Sequence, residues 1–92
     1  MNGIQRAVAI LGGNTNLARV IGRRPQEITK WLRRGWVTPG ACGAIAEAVL
    51  LAIPLAKRRG VDVETARPVT LRDLNPGLPD VLPVVSTAAE EA

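Results

Sequence analysis

Gln26 is three and four residues from Thr29 and Lys30, which in turn are four and three from Arg33, so all four fall on one side of a helix. Each can donate hydrogen bonds, and two carry fixed positive charge. Such a row is suited to recognition of base edges and phosphate oxygens, and nothing in it is suited to bond-making chemistry. The opposite side of the same segment holds Ile28, Trp31 and Leu32, an apolar face that predicts burial. Pro25 fits the first helical position, where its missing N–H costs nothing.

The elements that must position this row can be read outward from it. Upstream, Leu17, Ala18 and Ile21 form one face of a helix that begins near Asn14 or Thr15, either of which can cap it, and that ends at Gly22. Two short helices joined through a glycine turn, the second with a polar outer face, meet the requirements of a helix-turn-helix. A first helix from about Gly3 to Leu11, with Ile4, Ala7, Val8 and Leu11 on one face, should pack across the pair. Downstream, Thr38 as cap and Pro39 at the first position open a fourth helix with Cys42, Ile45, Ala46, Val49 and Leu50 turned to the core. Trp36 is expected as a partly buried lid.

Residues 1–92 carry a formal net charge of +4, unevenly placed. Arg6, Arg19, Arg23, Arg24, Lys30, Arg33 and Arg34 lie within the first 36 residues against Glu27 alone, and the remainder is net acidic. A positive field over the two-helix unit favours a polyanionic partner. There is no histidine or tyrosine and a single cysteine, Cys42, so a disulfide framework, a Cys/His zinc site and a histidine-based triad are all excluded within one chain. Cys42 is expected as a small buried helix residue. No cofactor, metal site or catalytic residue is called for, and an enzyme is not expected.

The segment GGNTNLARVIGRRPQEITKWLRRGWVTP resembles the Cro-like and YdaS-like helix-turn-helix proteins of phages and bacterial chromosomes. Gly12, Gly13, Leu17, Ala18, Gly22, Ile28, Thr29, Trp31, Leu32 and Pro39 carry the match, and VTLRDLNP from Val69 to Pro76 is similar to the ending of YdaS-type proteins. Arg23, Arg24 and Asn14 depart from the usual aliphatic, hydroxyl and glutamine residues of the pattern. The resemblance implies an all-α fold, a small helix-turn-helix bundle of four to five helices of the lambda-repressor-like or Cro-like kind with an irregular C-terminal tail. It implies a sequence-specific double-stranded DNA-binding regulator of the phage or prophage repressor type, working in the cytoplasm on a pseudo-palindromic operator. Pro25, Gln26, Thr29 and Lys30 would read bases, while Asn14, Thr15, Arg19, Arg23, Arg24, Arg33 and Arg34 would hold the phosphate backbone. The nearest variant is a YdaS-type antitoxin that regulates its own operon.

Residues 41–56 are nearly all apolar. A membrane span is not expected, because the run is short of the ~20 residues a bilayer needs, contains Glu47 and should be ended or kinked by Pro54. The surplus instead suggests a second surface: Leu51 and Leu55 lie off the core face and are candidates for a homodimer interface. A protein-interaction module using this surface is the rival reading. Lys57, Arg58, Arg59 and Gly60 have the character of a helix C-terminus, with a further phosphate contact at the cluster as a lesser option.

The organisation expected is a helix-turn-helix domain over residues 1–60, an extension over 61–77 and a flexible tail or dimer arm over 78–92. Within the extension, residues 61–68 form a loop or short extended segment. Thr70 and Asp73 then have capping-box spacing for a helical turn, which Asn75, Pro76 and Gly77 break. No secretory or twin-arginine signal is seen at the N-terminus.

Overall fold

A computed structural model describes residues 1–83, and the expectations placed on 84–92 lie outside the described residues. Five helices follow in order: α1 (Gly3–Leu11), α2 (Asn14–Ile21), α3 (Pro25–Arg34), α4 (Pro39–Arg58) and α5 (Leu71–Leu74), with no strand among the described residues. The fold is therefore the expected all-α bundle.

Local chemistry explains most of the boundaries. Asn2 caps α1 by accepting from the Gln5 N–H at 2.9 Å, while the Gln5 side chain accepts from the Asn2 N–H at 2.8 Å. Gly12 then ends α1 at φ 86°, which lets both Gly12 and Gly13 donate to the Val8 carbonyl. Between α2 and α3 the corresponding residue is Gly22 at φ 74°, where Arg23 N–H closes back onto Ala18 at 2.8 Å. The residue at the α2 cap position is Gly13, with no side-chain cap, so neither Asn14 nor Thr15 has the capping role the sequence suggests. Asn14 already lies inside the helix and is directed toward α3.

The core is one cluster. Ile4, Ala7 and Ile10 of α1, Leu17 and Ala18 of α2, Ile28 and Trp31 of α3, and Ile45, Ala46 and Val49 of α4 are all buried together with Val37 and Cys42. Helix α4 packs against α1 and α2, and α3 packs chiefly on α2. Val69 and Leu74 join the same cluster, with Val61, Leu71 and Leu78 half-buried against it. The segment after α4 thus adds to the main core.

Helix α1 is covered on more sides than its single apolar stripe suggests, because α5 sits on the flank that carries Gly3 and Arg6. A methyl group on Gly3 would run into the backbone of Asp73, so this approach depends on glycine. Arg6 donates to the Arg67 carbonyl at 3.1 Å and to Asp73 Oδ2 at 3.3 Å. The same carboxylate oxygen accepts from Thr70 N–H at 3.0 Å, and Thr70 Oγ1 accepts from Asp73 N–H at 3.1 Å, completing the capping box of α5. On its other side, α5 is tied to the α3–α4 connector: Val37 N–H donates to the Leu74 carbonyl at 2.8 Å and Asn75 Nδ2 to the Val37 carbonyl at 2.8 Å. Residues 78–83 continue the same way, with Leu71 N–H bonded to Val81 and Arg72 Nε to Leu78.

Pro54 does not end α4. The helix runs on to Arg58, because Pro54 is exposed while Ala56 beyond it is fully buried and Arg59 donates to the Ile10 carbonyl at 2.7 Å, fastening the last turn to α1. With 20 residues α4 is long and apolar enough for a membrane span by length and composition. In this bundle Ala41, Cys42, Ile45, Ala46, Val49 and Ala56 are spent on the core.

Candidate nucleic-acid interface

Helix α3 is oriented by its buried side. Ile28 is fully buried and Trp31 is 2% exposed, and the indole Nε1 donates to Thr38 Oγ1 at 3.3 Å. That hydroxyl also accepts from Arg34 Nη2 at 3.1 Å, so Thr38 joins α3 to the start of α4 in place of the capping bond expected of it. With this side fixed, Gln26, Thr29, Lys30 and Arg33 are all exposed and together line a shallow open concavity. No carboxylate lies among them. Pro25, at the first helical position, is exposed at the same end.

The helix start is built by Glu27. Its carboxylate accepts from the Arg24 N–H at 3.3 Å and from Arg23 Nη1 at 3.0 Å. These contacts, the backbone N–H first and the guanidinium second, hold the Glu27 carboxyl below the usual range. Arg23 also lies 6.0 Å from the centroid of the Trp31 ring. At the other end, Arg34 stacks 3.5 Å from the ring centroid of Trp36 and donates Nε to the Trp36 carbonyl at 2.9 Å. Trp36 is 42% exposed, so it is covered on one face by a guanidinium and not by the core.

The cations near the face thus fall into two groups. Arg19, Arg24, Lys30 and Arg33 are exposed and make no ion pair among the described residues. Arg23 is paired with Glu27, and Arg34 is committed to Trp36 and Thr38. Asn14 and Thr15 stand at the first turn of α2; Asn14 Nδ2 donates to Thr29 Oγ1 at 3.3 Å, a contact between the two helices with no signal in the spacing.

Two further cations, one from the positive half and one from the end of α4, are used inside the fold. Arg6 is only 7% exposed, and burial pushes its pKa down, Arg67 adding to that and Asp73 opposing it. Its place on the α1 flank beside Gly3 and Ile10, three and four residues away, was the available sign that it faces inward. Arg59 caps the last carbonyls of α1. Cys42 is buried, its Sγ within 3.5 Å of the Thr38 carbonyl oxygen, and burial pushes its thiol pKa up, which is the reverse of what a nucleophile needs. Among the described residues no group of histidine, cysteine and carboxylate side chains is placed to hold a metal ion.

Leu51 and Leu55 are 73% and 59% exposed on α4. Leu55 borders an apolar groove whose walls are Ile10 and Leu11 of α1, Val20 of α2 and Ala52 of α4.

Residues 4–56, more than half of the chain, match the family described as bacterial toxin YdaS, and the chain belongs to that family. No curated protein and no solved structure matches it.

Proposed function

We propose that this member of the YdaS family is a sequence-specific double-stranded DNA-binding regulator of the Cro-like phage or prophage repressor type. Helix α3 enters the major groove with Gln26, Thr29 and Lys30 toward base edges and Pro25 at the leading end. Gln26 suits an adenine edge and Lys30 a guanine. Arg19, Arg24 and Arg33 neutralise phosphates, with Asn14, Thr15, Arg23 and Arg34 at the margins of the same footprint. Repression needs no chemistry from the protein: an occupied operator overlapping a promoter excludes the polymerase.

The observation that carries this reading is the exposed row of Gln26, Thr29, Lys30 and Arg33 on a helix whose other side is locked by Ile28 and Trp31. A row of donors without a carboxylate favours a ligand rich in acceptors and negative charge. Leu51 and Leu55 support a homodimer, since an exposed apolar pair on a long core helix offers a patch to a second copy. Two α3 helices about 34 Å apart would then read an inverted repeat in the bacterial cytoplasm.

Binding sites selected from random duplex DNA provide the test. Affinity for the selected operator should fall steeply between about 50 and 200 mM salt, as counterions released by the arginines demand. Gln26→Ala should cost about 1–3 kcal/mol on that operator and relax selectivity at a single base position, with scrambled DNA little affected. A flat salt response, or retention on heparin no greater than net charge alone gives, overturns the reading in favour of a protein-interaction module.

The family description favours a second reading, in which the chain acts as a toxin by occupying host DNA through the same face. Induced expression in a bacterial host should then arrest growth, and the combined Gln26→Ala, Lys30→Ala and Arg33→Ala variant should relieve the arrest. Toxicity that survives those substitutions places the harmful activity away from α3. An antitoxin that regulates its own operon would use the DNA face without arresting growth.

A further inference from the structure

The hydroxyl of Thr29 is occupied from within the protein. Its proton goes to the Pro25 carbonyl at 3.2 Å, one turn back along α3, and the Asn14 amide donates to its oxygen at 3.3 Å from the start of α2. A threonine hydroxyl has one proton and two lone pairs, so this one cannot donate to a base and has a single lone pair left. The methyl is the remaining group of this exposed side chain. Threonine in a helix divides between two side-chain rotamers because its oxygen can bond back to the preceding turn, and a donor from a neighbouring helix selects between them. Thr29 lies in the middle of the exposed row, flanked by Gln26 and by Lys30 and Arg33.

We infer that Asn14 is a positioning residue that fixes Thr29 with its methyl as the reading group, so that the interface selects the 5-methyl of a thymine at one position of each half-site. The inference rests on the DNA-reading role of α3 argued above and adds what one of its residues discriminates. It also gives Asn14 a use inside the protein, since one of its two amide protons is directed at Thr29 and not outward. A threonine methyl against a thymine methyl is an apolar contact available only in the major groove.

Replacing the thymines of the selected operator one at a time with deoxyuridine removes only the methyl group. One position per half-site should lose about fourfold in affinity, the equivalent of one methyl group taken out of contact. Thr29→Ser, which keeps the hydroxyl and removes the methyl, should bind both duplexes alike. Thr29→Val, which keeps the shape and removes the hydroxyl, should still prefer thymine. Asn14→Ala should bring the thymine-to-deoxyuridine ratio toward one, and adding Thr29→Val should restore it. Because the ratio compares two duplexes with the same variant, a general loss of affinity or of folded protein cancels.

Binding with no position sensitive to the methyl group overturns this inference alone, as does tolerance of Thr29→Ser combined with loss of preference in Thr29→Val, which would make the hydroxyl the reader. A ratio unchanged by Asn14→Ala overturns the positioning role. Failure of the native protein to bind any duplex overturns the inference together with the DNA-reading role beneath it.

Discussion

Arg6 and Arg33 are both cations on short amphipathic helices, yet they end in opposite surroundings. Arg6 is buried between α1 and α5, its guanidinium shared between the Arg67 carbonyl and Asp73. Arg33 is exposed on α3 with no ion pair among the described residues. Arg59, though exposed, likewise donates to a backbone carbonyl at the end of α1, and Lys30 repeats the pattern of Arg33 on α3. A positive residue packed against carbonyls is a structural donor whose charge is largely matched where it sits, whereas one left in solvent contributes to the field a partner meets. The field at α3 is therefore set by fewer cations than the first 36 residues contain.

The most forceful way to break this comparison is Arg6→Met, which keeps much of the side-chain volume and removes the donors. It leaves the Arg67 carbonyl without its partner, while Asp73, whose side chain is 40% exposed, can be rehydrated. A loss of about 2 kcal/mol is expected, below that of breaking a fully buried pair. The melting temperature should fall by on the order of 10 °C. Under conditions where the variant is folded, its affinity for duplex DNA should match the native protein's. Weakened DNA binding without a loss of thermal stability would put Arg6 in the second group.

Arg33→Ala should do the converse. Thermal stability should stay within about 0.5 kcal/mol of the native value, as for most surface substitutions. Affinity for preferred and scrambled duplexes should fall by a similar factor, with the salt slope reduced by about one unit. Salt titrations on the two duplexes, paired with a thermal melt, read both quantities. If only the preference disappears, Arg33 reads a base and the polarity of α3 in the groove is reversed.

The smallest effect sharpens the comparison at Arg23, which belongs fully to neither group. The folded state holds the Glu27 carboxyl below the ordinary glutamate value. The resulting support for the start of α3 is complete above that value and is lost as pH falls through the lower folded pKa. Acidification should therefore loosen the first turn of α3 and release Arg23. Hydrogen exchange of the α3 amides followed down through the carboxylate range should show this loosening, and Glu27→Gln should abolish its pH dependence.

The sequence made the helices legible wherever local rules decide them. Gly12, Gly22 and Gly35 end three helices in the left-handed region, and Pro25 and Pro39 begin two, as spacing and residue type indicate. Thr70 and Asp73 form the capping box that their separation promises. The exposed row on α3 follows from the burial of Ile28 and Trp31, so it too could be read in advance. What could not be read depends on contacts between segments far apart. Pro54 is tolerated because Ala56 and Arg59 hold the final turn of α4 against the rest of the bundle. Asn14 and Thr38 have residue types suited to helix starts, but their side chains were claimed by Thr29 and by Trp31 with Arg34. Competition between a local cap and a tertiary partner has no periodic signature.

The attachment of α5 has a consequence for the order in which the chain becomes whole during synthesis. Arg6 waits for a carbonyl 61 residues further along, and Val37 waits for Leu74. Helices α1 to α4 lie within the first 58 residues and can meet before α5 is made, joined by short connectors that close at low entropic cost. Until Asp73 has been made, the emerging bundle carries an unmatched guanidinium on one flank of α1 and a bare backbone N–H at Val37. Docking of α5 is what covers that flank, leaving Arg6 only 7% exposed.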